Sequence, residues 1–420
     1  MRKNEAERGT KMKKITENIY YVGGSDRHLD LFEGAYPLPA GVTYNSYLIV
    51  DEKTVLMDAV DLAIGRTLID NVEEVLGDRG LDFLVVSHME PDHSATAYMV
   101  LEKYPECKLV ISEKAFRLFE QFEEELAAKL KTDDRLHLIK EGSELEIGSD
   151  KLMFIETPMV HWPEVVMSYL PSSGVLFSAD AFGSFGADDG ELFGSREIFD
   201  EYVGEARRYY TNIVGKYGLQ VKNALNKVVT NFKDIKIVAP LHGLLWKNDD
   251  EGGFGLFLNK YQAWASYEPE VNGVLIVFGS IYGNTAKAAL KLASDLNDKG
   301  VKTKILDATR MDVSYIVSAA FEYSHIAILS ITHDAMLFTP IATLCEELKN
   351  RQLANRTFAL AENGSWAPVA ARGMREILSG LKNSTILDKD LSFKSSLKST
   401  DMANYEEWKD QLLATIPAPL

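Results

Sequence analysis

The sequence predicts an α/β protein of two domains, an αββα sandwich followed by a doubly wound parallel sheet. Three observations predict it. The chain has 420 residues, long for one compact core. Its first two thirds hold many short apolar or alternating runs between turn residues, interleaved with helical patterns. Its last third alternates strand and helix strictly, which requires right-handed βαβ crossovers and a parallel sheet. The division is expected at residues 12–266 and 271–420.

The elements follow in order. ENIYYV, TYNSYLIV and KTVLMDAV are β-rich runs, and GRTLIDNVEEVL has apolar residues at three- and four-residue spacing, a helix. Strand DFLVVSH, a turn, helix ATAYMVLEKY and strand KLVIS come next. RLHLIK, SELEIG, KLMFIETP, VVMSYL and GVLFSAD alternate or run apolar, as strands of a sheet do. DEYVGEARRYYTNIVGKYGLQVKNALNKVV supplies one or two helices, and IKIVAPLHG is a buried strand ending in a loop. Many strands with helices on their outer faces make the sandwich. A linker is expected near YQAWASYEPE, where Pro269 and acidic residues interrupt the pattern. Beyond it, strands GVLIVFGS, VKTKILDAT, HIAILSI and TFALAEN alternate with helices starting TAKAAL, VSYIV, IATLC, APVAA and NYEEW.

Composition narrows the function classes. A formal net charge of -17 argues against a nucleic-acid partner, which needs a local excess of Lys and Arg. It suits steering of a basic patch on a partner protein. No apolar run approaches the roughly 20 residues that span a bilayer, and the basic N-terminus is followed by ITENIYYV, not by an apolar signal core. A cytoplasmic protein with a loose first ten or so residues is expected. The 2 cysteines, Cys107 and Cys345, form no CxxC pair. A thiolate cluster within this chain is excluded, and any metal must be held by nitrogen and oxygen.

His88-Met89-Glu90-Pro91-Asp92-His93 directly follows the apolar strand DFLVVS. Alternation along an extended segment sends His88, Glu90 and Asp92 to one side. The turn at Pro91 and Asp92 then swings His93 toward a second metal. A single strand histidine is usually a hydrogen-bonded residue, but four potential ligands in six positions need a charge to offset their carboxylates. His161 opens the turn HWPE, Asp180 ends VLFSAD, and His242 follows IKIVAP. Each follows an apolar strand, so all can meet along one edge of the sandwich. Of the 8 histidines, His28, His137, His325 and His333 have no comparable company.

These residues resemble the metallo-β-lactamase superfamily, whose motif is HxHxDH with a distant His, Asp and His. Here Glu90 stands at the second His. A hard oxygen donor there moves the site from zinc toward iron or manganese. HxExDH, HWPE, a lone Asp and HG is the pattern of the flavodiiron proteins within that superfamily. The resemblance implies two irons, one held by His88, Glu90 and His161, the other by Asp92, His93 and His242, with Asp180 bridging. It also implies that Glu33 in LFEG, where many relatives have His, lines the substrate pocket. Tyr209 and Tyr210 look like the helix whose aromatic side chains approach the irons, although helix packing would equally explain them. Asp58, ending KTVLMD, is either a partner for a ligating imidazole or a strand-end turn residue.

Ser280-Ile281-Tyr282-Gly283-Asn284-Thr285 sits between a buried strand and a helix. Small and hydroxylated residues there can direct N–H and hydroxyl groups at a phosphate, backed by the helix dipole. The loop lacks GxxxxGK[ST], which argues against a nucleotide triphosphatase. Two later loops, Ser330-Ile331-Thr332-His333-Asp334-Ala335 and Asn363-Gly364-Ser365-Trp366, converge with it beyond the strand carboxyl ends. The match is to the flavodoxin-like domain of the same family, over about 272 to 420, and implies bound flavin mononucleotide (FMN), with Trp366 covering the ring. Asp334 stands where relatives commonly have Asn, and an acid there shifts the flavin potential.

Together the resemblances imply a flavodiiron oxidoreductase that reduces dioxygen to water or nitric oxide to nitrous oxide, with electrons relayed through FMN. A head-to-tail homodimer or a homotetramer would bring one chain's flavin to the other's irons. A separate donor such as a rubredoxin or a flavin reductase would supply the electrons. A metallo-β-lactamase-fold hydrolase with an accessory flavodoxin domain is the rival enzyme class, and an electron carrier with an empty metal site is the non-catalytic rival.

Overall fold

The computed structural model describes residues 13–187 and 190–417; the expected loose first ten or so residues lie outside them. The chain divides into two compact units. One comprises Met1–Ala206 with Leu219–Leu258, the other Arg207–Gly218 with Asn259–Leu420.

In the first unit, among the described residues, two six-stranded sheets form the centre. The first runs Ile19–Tyr21, Tyr47–Val50, Thr54–Met57, Phe83–Val85, Lys108–Ser112, Leu136–Ile139. The second runs Glu144–Glu146, Lys151–Glu156, Val166–Leu170, Val175–Phe177, Ile237–Ala239, Trp246–Lys247. One buried cluster draws on both sheets, including Ile49, Met57 and Val85 from the first and Phe154, Val166 and Phe177 from the second. Each strand turns alternate residues inward, so the sheets join face to face through these side chains. Helix Gly65–Leu76 buries Leu68, Ile69, Val72 and Leu76, the three- and four-residue stripe that its sequence carries.

Helices Glu113–Phe122 and Glu124–Thr132 lie beyond what the pattern reading assigns. Their signal is nevertheless local: Ser112 caps the first by accepting from Ala115 N–H, and Ala115, Phe116 and Phe119 form its buried face. The expected linker is shorter than YQAWASYEPE, because helix Phe254–Ala265 takes in its first half. Tyr261 and Trp264 on that helix are 2% and 0% exposed, and their burial holds the segment helical.

In the second unit the sheet order is Lys302–Asp307, Val271–Phe278, Tyr323–His333, Thr357–Asn363, Thr385–Ile386, with Leu391–Phe393 also on Thr357–Asn363. All these pairings are parallel; Met336–Leu337 folds back antiparallel on the end of Tyr323–His333. The first strand of the unit therefore lies between its second and third, so the strand order reverses there. The carboxyl ends on either side of it open a crevice. Asp312 caps helix Val313–Glu322 by accepting from Ser314 N–H.

Candidate metal centre and ligand cleft

The hexapeptide begins extended and ends helical. Glu90 is in the extended region, and Pro91 starts a single helical turn, Pro91–Ser94, where its fixed φ and missing N–H cost nothing. That change of backbone corrects the alternation reading. Asp92 does not share a side with His88 and Glu90 but joins His93. The described residues form two ligand groups, His88 with Glu90, His161 and Asp180, and Asp92 with His93 and His242. Within each group, one ligand atom per residue lies within 4.8 Å of the others.

Asp180 spans both groups. Its Oδ2 is 3.1 Å from Nε2 of both His88 and His161. Its Oδ1 is 3.3 Å from His93 Nε2 and 3.8 Å from His242 Nε2. His161 Nε2 is 2.8 Å from Glu90 Oε2, and His242 Nε2 is 3.2 Å from Asp92 Oδ2. All seven side chains are buried except that of His161, which is nearly so. His88 Nε2 and both carboxylate oxygens of Asp92 and Asp180 nonetheless make no hydrogen bond among the described residues. The atoms are close enough for ion pairs but point past one another, toward common centres.

Neighbouring segments fix this arrangement. His242 Nδ1 lies 2.7 Å from the Thr43 carbonyl oxygen, so Nδ1 carries the hydrogen and Nε2 faces the cluster. Thr43 Oγ1 accepts from Gly243 N–H at 2.6 Å. Gly243 has φ 75, and a Cβ there would meet the Tyr202 hydroxyl at 2.3 Å, so only glycine fits. Glu164 Oε1 accepts from Met89 N–H at 2.9 Å. Asp58 accepts from Ser87 N–H at 2.6 Å and Ser87 Oγ at 2.7 Å. The suggested Asp58–imidazole bond is thus replaced by a grip on the residue preceding His88. None of Thr43, Glu164 and Ser87 carries a sequence signal, since each acts through a common residue type or a backbone atom.

The charges are strongly coupled. Burial alone would lower the pKa of His88, but Asp180 and Glu90 hold it well above the usual imidazole range. The same contest pushes His161 up to about 10. Burial would raise Asp180, yet His88 and His161 hold it well below the carboxylate range. The carboxylates demand positive charge at these nitrogens, as protons or as metal.

A pocket opens on the cluster, lined by Leu31, Phe32, Glu33, Tyr44, Asp61, Glu90 and Asp92 among others. Glu33 and Gly34, with φ 50 and 67, turn the chain between the paired strands Leu31–Phe32 and Tyr36–Pro37. Burial and the adjacent Glu90 push Glu33 up to about 7. Burial and the carboxylates of Asp61 and Asp92 raise Tyr44, keeping it a phenol. Tyr209 and Tyr210 belong to the second unit. Tyr210 packs on Tyr261 and Trp264 with ring centroids 4.8 and 5.4 Å apart, so packing accounts for it.

In the second unit a cleft lies at the crevice. It is lined by Ser280, Ile281, Tyr282, Asn284, Thr285, Ile331, Thr332, His333, Asp334, Asn363, Gly364, Ser365, Trp366 and Ser395. Gly283, Ser330 and Ala335 complete the predicted loops without lining it. Gly283, at φ 84, is the residue before helix Asn284–Asn297, and Ala335 shares the left-handed hairpin turn with Asp334. Asn363 Nδ2 donates to Thr285 Oγ1 at 3.1 Å and to the Ser395 carbonyl at 3.0 Å, tying three loops together. Ser395, which follows strand Leu391–Phe393, lies outside the sequence-predicted set. Among the described residues no Lys or Arg lines the cleft, so an anion there would meet neutral donors and a helix N-terminus. Trp366 is 78% exposed, a ring at the rim and not in the core.

Comparison with known proteins shows the family. The family profile described as ODP family beta lactamase matches residues 42–243. An anaerobic nitric oxide reductase flavorubredoxin of Vibrio vulnificus is 30% identical over 84% of this chain and 70% of its own. The structure of the rubredoxin oxygen:oxidoreductase from the anaerobe Desulfovibrio gigas superposes with TM-score 0.86 at 26% identity, covering 97% of this chain and 98% of that one. The flavodiiron protein of Giardia intestinalis, 22% identical, shares the fold with TM-score 0.84 over 96% of this chain and 97% of its own. With a buried cage of four imidazoles and three carboxylates in one unit and a doubly wound cleft in the other, the chain belongs to the flavodiiron proteins, an oxidoreductase family.

Proposed function

We propose that the chain binds two iron ions and one FMN and reduces dioxygen to water or nitric oxide to nitrous oxide. The observation that carries this reading is Asp180, buried between two groups of convergent donors with an oxygen toward each. The donor set fits the ions: imidazole nitrogens and hard carboxylate oxygens, no thiolate, and buried polar atoms without protein partners. The cleft fits FMN through its hydroxyl and amide donors at the start of helix Asn284–Asn297 and the exposed Trp366 ring.

When bound, the irons would supply open positions for a diatomic gas and the flavin would accept electrons in pairs and release them singly. The chain's residues do the rest. His88, Glu90 and His161 would hold one iron, Asp92, His93 and His242 the other, and Asp180 would bridge them. Thr43 keeps the hydrogen of His242 on Nδ1. Leu31 and Phe32 give the pocket apolar walls, and Glu33 brings a carboxyl that is partly protonated near neutrality. Ser280, Asn284 and Thr285 would hold the phosphate, and Trp366 would cover the ring.

A separate rubredoxin or flavin reductase would deliver the electrons. A head-to-tail homodimer, or a homotetramer of two such dimers, would set the flavin of one chain against the irons of another; the exposed rim of Tyr282, Met336 and Trp366 supports such burial. The test is an iron- and FMN-loaded sample, reduced through its flavin and exposed to each gas. Consumption of at least one is expected. Failure to consume either, with both cofactors present, overturns the reading.

A further inference from the structure

We propose that the Tyr44 hydroxyl is a further catalytic group, donating a hydrogen bond to the gas in the pocket and stabilising negative charge as the gas is reduced. The proposal rests on the diiron reading above.

Strand Val42–Tyr44 supports the centre in two ways. Thr43 orients His242 through its carbonyl. Tyr44, the next residue, lays its ring edge-on to His242 and His93, with centroids 5.7 and 6.4 Å away. The side chain is therefore fixed against both histidines of one ligand group, and it has little freedom to swing away.

Its hydroxyl is the unexplained part. The residue is 2% exposed, and a buried phenol ordinarily finds a hydrogen-bond partner. Among the described residues Tyr44 has none, while it does line the pocket beside Glu90 and Asp92. An O–H that bonds to none of the described residues and lines the pocket is available to whatever enters.

The chemistry of the other walls gives that O–H its importance. The side chains lining the pocket are apolar, like Leu31 and Phe32, or carboxyl, like Glu33, Asp61, Glu90 and Asp92. Ionised carboxylates only accept hydrogen bonds and would repel an oxygen or nitrogen atom gaining electron density. Among the described residues the phenol is the one lining side chain that donates whatever the state of the acids. A preorganised donor aimed at developing charge in a water-poor site is a recurrent source of rate enhancement.

The experiment compares the native chain with Tyr44→Phe, both loaded with iron and FMN and reduced, using nitric oxide as the probe. Phenylalanine keeps the ring against His242 and removes only the hydroxyl. Iron and flavin contents are expected to stay equal. Nitric oxide affinity should fall about three- to tenfold, the range of one neutral hydrogen bond. The N–O stretching frequency should shift between H₂O and D₂O in the native protein and not in Tyr44→Phe, which a purely structural role would not produce. The same isotope response in both proteins, or in neither, overturns the proposal. Loss of iron from Tyr44→Phe also overturns it, by making the residue a support for His242. If the native protein with its irons in place takes up no nitric oxide, the diiron gas reading falls with it, a result distinct from the others.

Discussion

The Nε2 atoms of His93 and His242 stand 2.9 Å apart, with both rings buried. Because Nδ1 of His242 carries its hydrogen toward Thr43, two lone pairs would oppose each other unless a proton or a metal lay between or beside them. Chelation should therefore destabilise the first unit, and iron should restore it. At a free iron concentration a hundredfold above Kd the gain is about 3 kcal/mol. Thermal denaturation with and without chelator checks this; an unchanged midpoint would show that the cage is content with protons.

Asp180 and His242 should differ in what their loss does. Asp180 has an oxygen toward each group, whereas His242 belongs to one. Asp180→Asn removes the charge shared by both and should deplete both irons. His242→Ala should deplete one and leave the position of His88, Glu90 and His161 occupied. Metal analysis after gel filtration measures it, and equal depletion by the two variants would contradict the bridging role.

Much of this centre was legible in the sequence because its ligands sit at strand ends and are of uncommon types in that company. His88, Asp180 and His242 each follow an apolar run that became a buried strand. The partition of the hexapeptide was less legible by periodicity, since the helical turn at Pro91 reassigns Asp92 to the other group. Thr43, Tyr44 and Glu164 were illegible. They act through a carbonyl, a ring edge and a bond to Met89 N–H, contacts between residues far apart in the chain: Met89 and Glu164 are 75 positions apart, Thr43 and His242 199. In the fold, the parallel sheet followed from strict alternation, whereas helix Phe254–Ala265 is held by tertiary burial that the acidic, proline-containing stretch after it obscures.

Asn363 should matter to flavin binding although it lies at the end of its strand. Its amide joins the loop after Val271–Phe278 to the loop before Ser396, through Thr285 and Ser395. Asn363→Leu removes both bonds, leaves the Thr285 hydroxyl without that donor and frees the three loops from one another. An unsatisfied buried group costs about 1–3 kcal/mol, so the FMN dissociation constant should rise about tenfold or more. Titration of flavin-free protein, followed by quenching of flavin fluorescence, gives the value. An unaltered constant would mean that the loops are held by other contacts.

Glu270, directly after Pro269, should be a pH-dependent brace of the second unit. Its side chain is 4% exposed and accepts from Arg207, from Lys260 Nζ at 2.5 Å and from Trp264 Nε1 at 2.7 Å. Burial would raise its pKa, but the bonds from Arg207 and the lysine lower it below the usual glutamate value. A carboxyl with a depressed folded-state pKa stabilises the fold above its unfolded pKa, and that stabilisation is lost as pH falls through the folded one. Glu270→Gln leaves Arg207, itself 8% exposed, without its main partner and should cost about 3 kcal/mol at pH 7. The difference in urea-unfolding free energy between native and Glu270→Gln proteins should therefore be full at neutrality and shrink as the medium is acidified below the unfolded glutamate pKa, about 4.3. A difference that stays constant with acidification would assign the loss to packing and not to the carboxylate's charge.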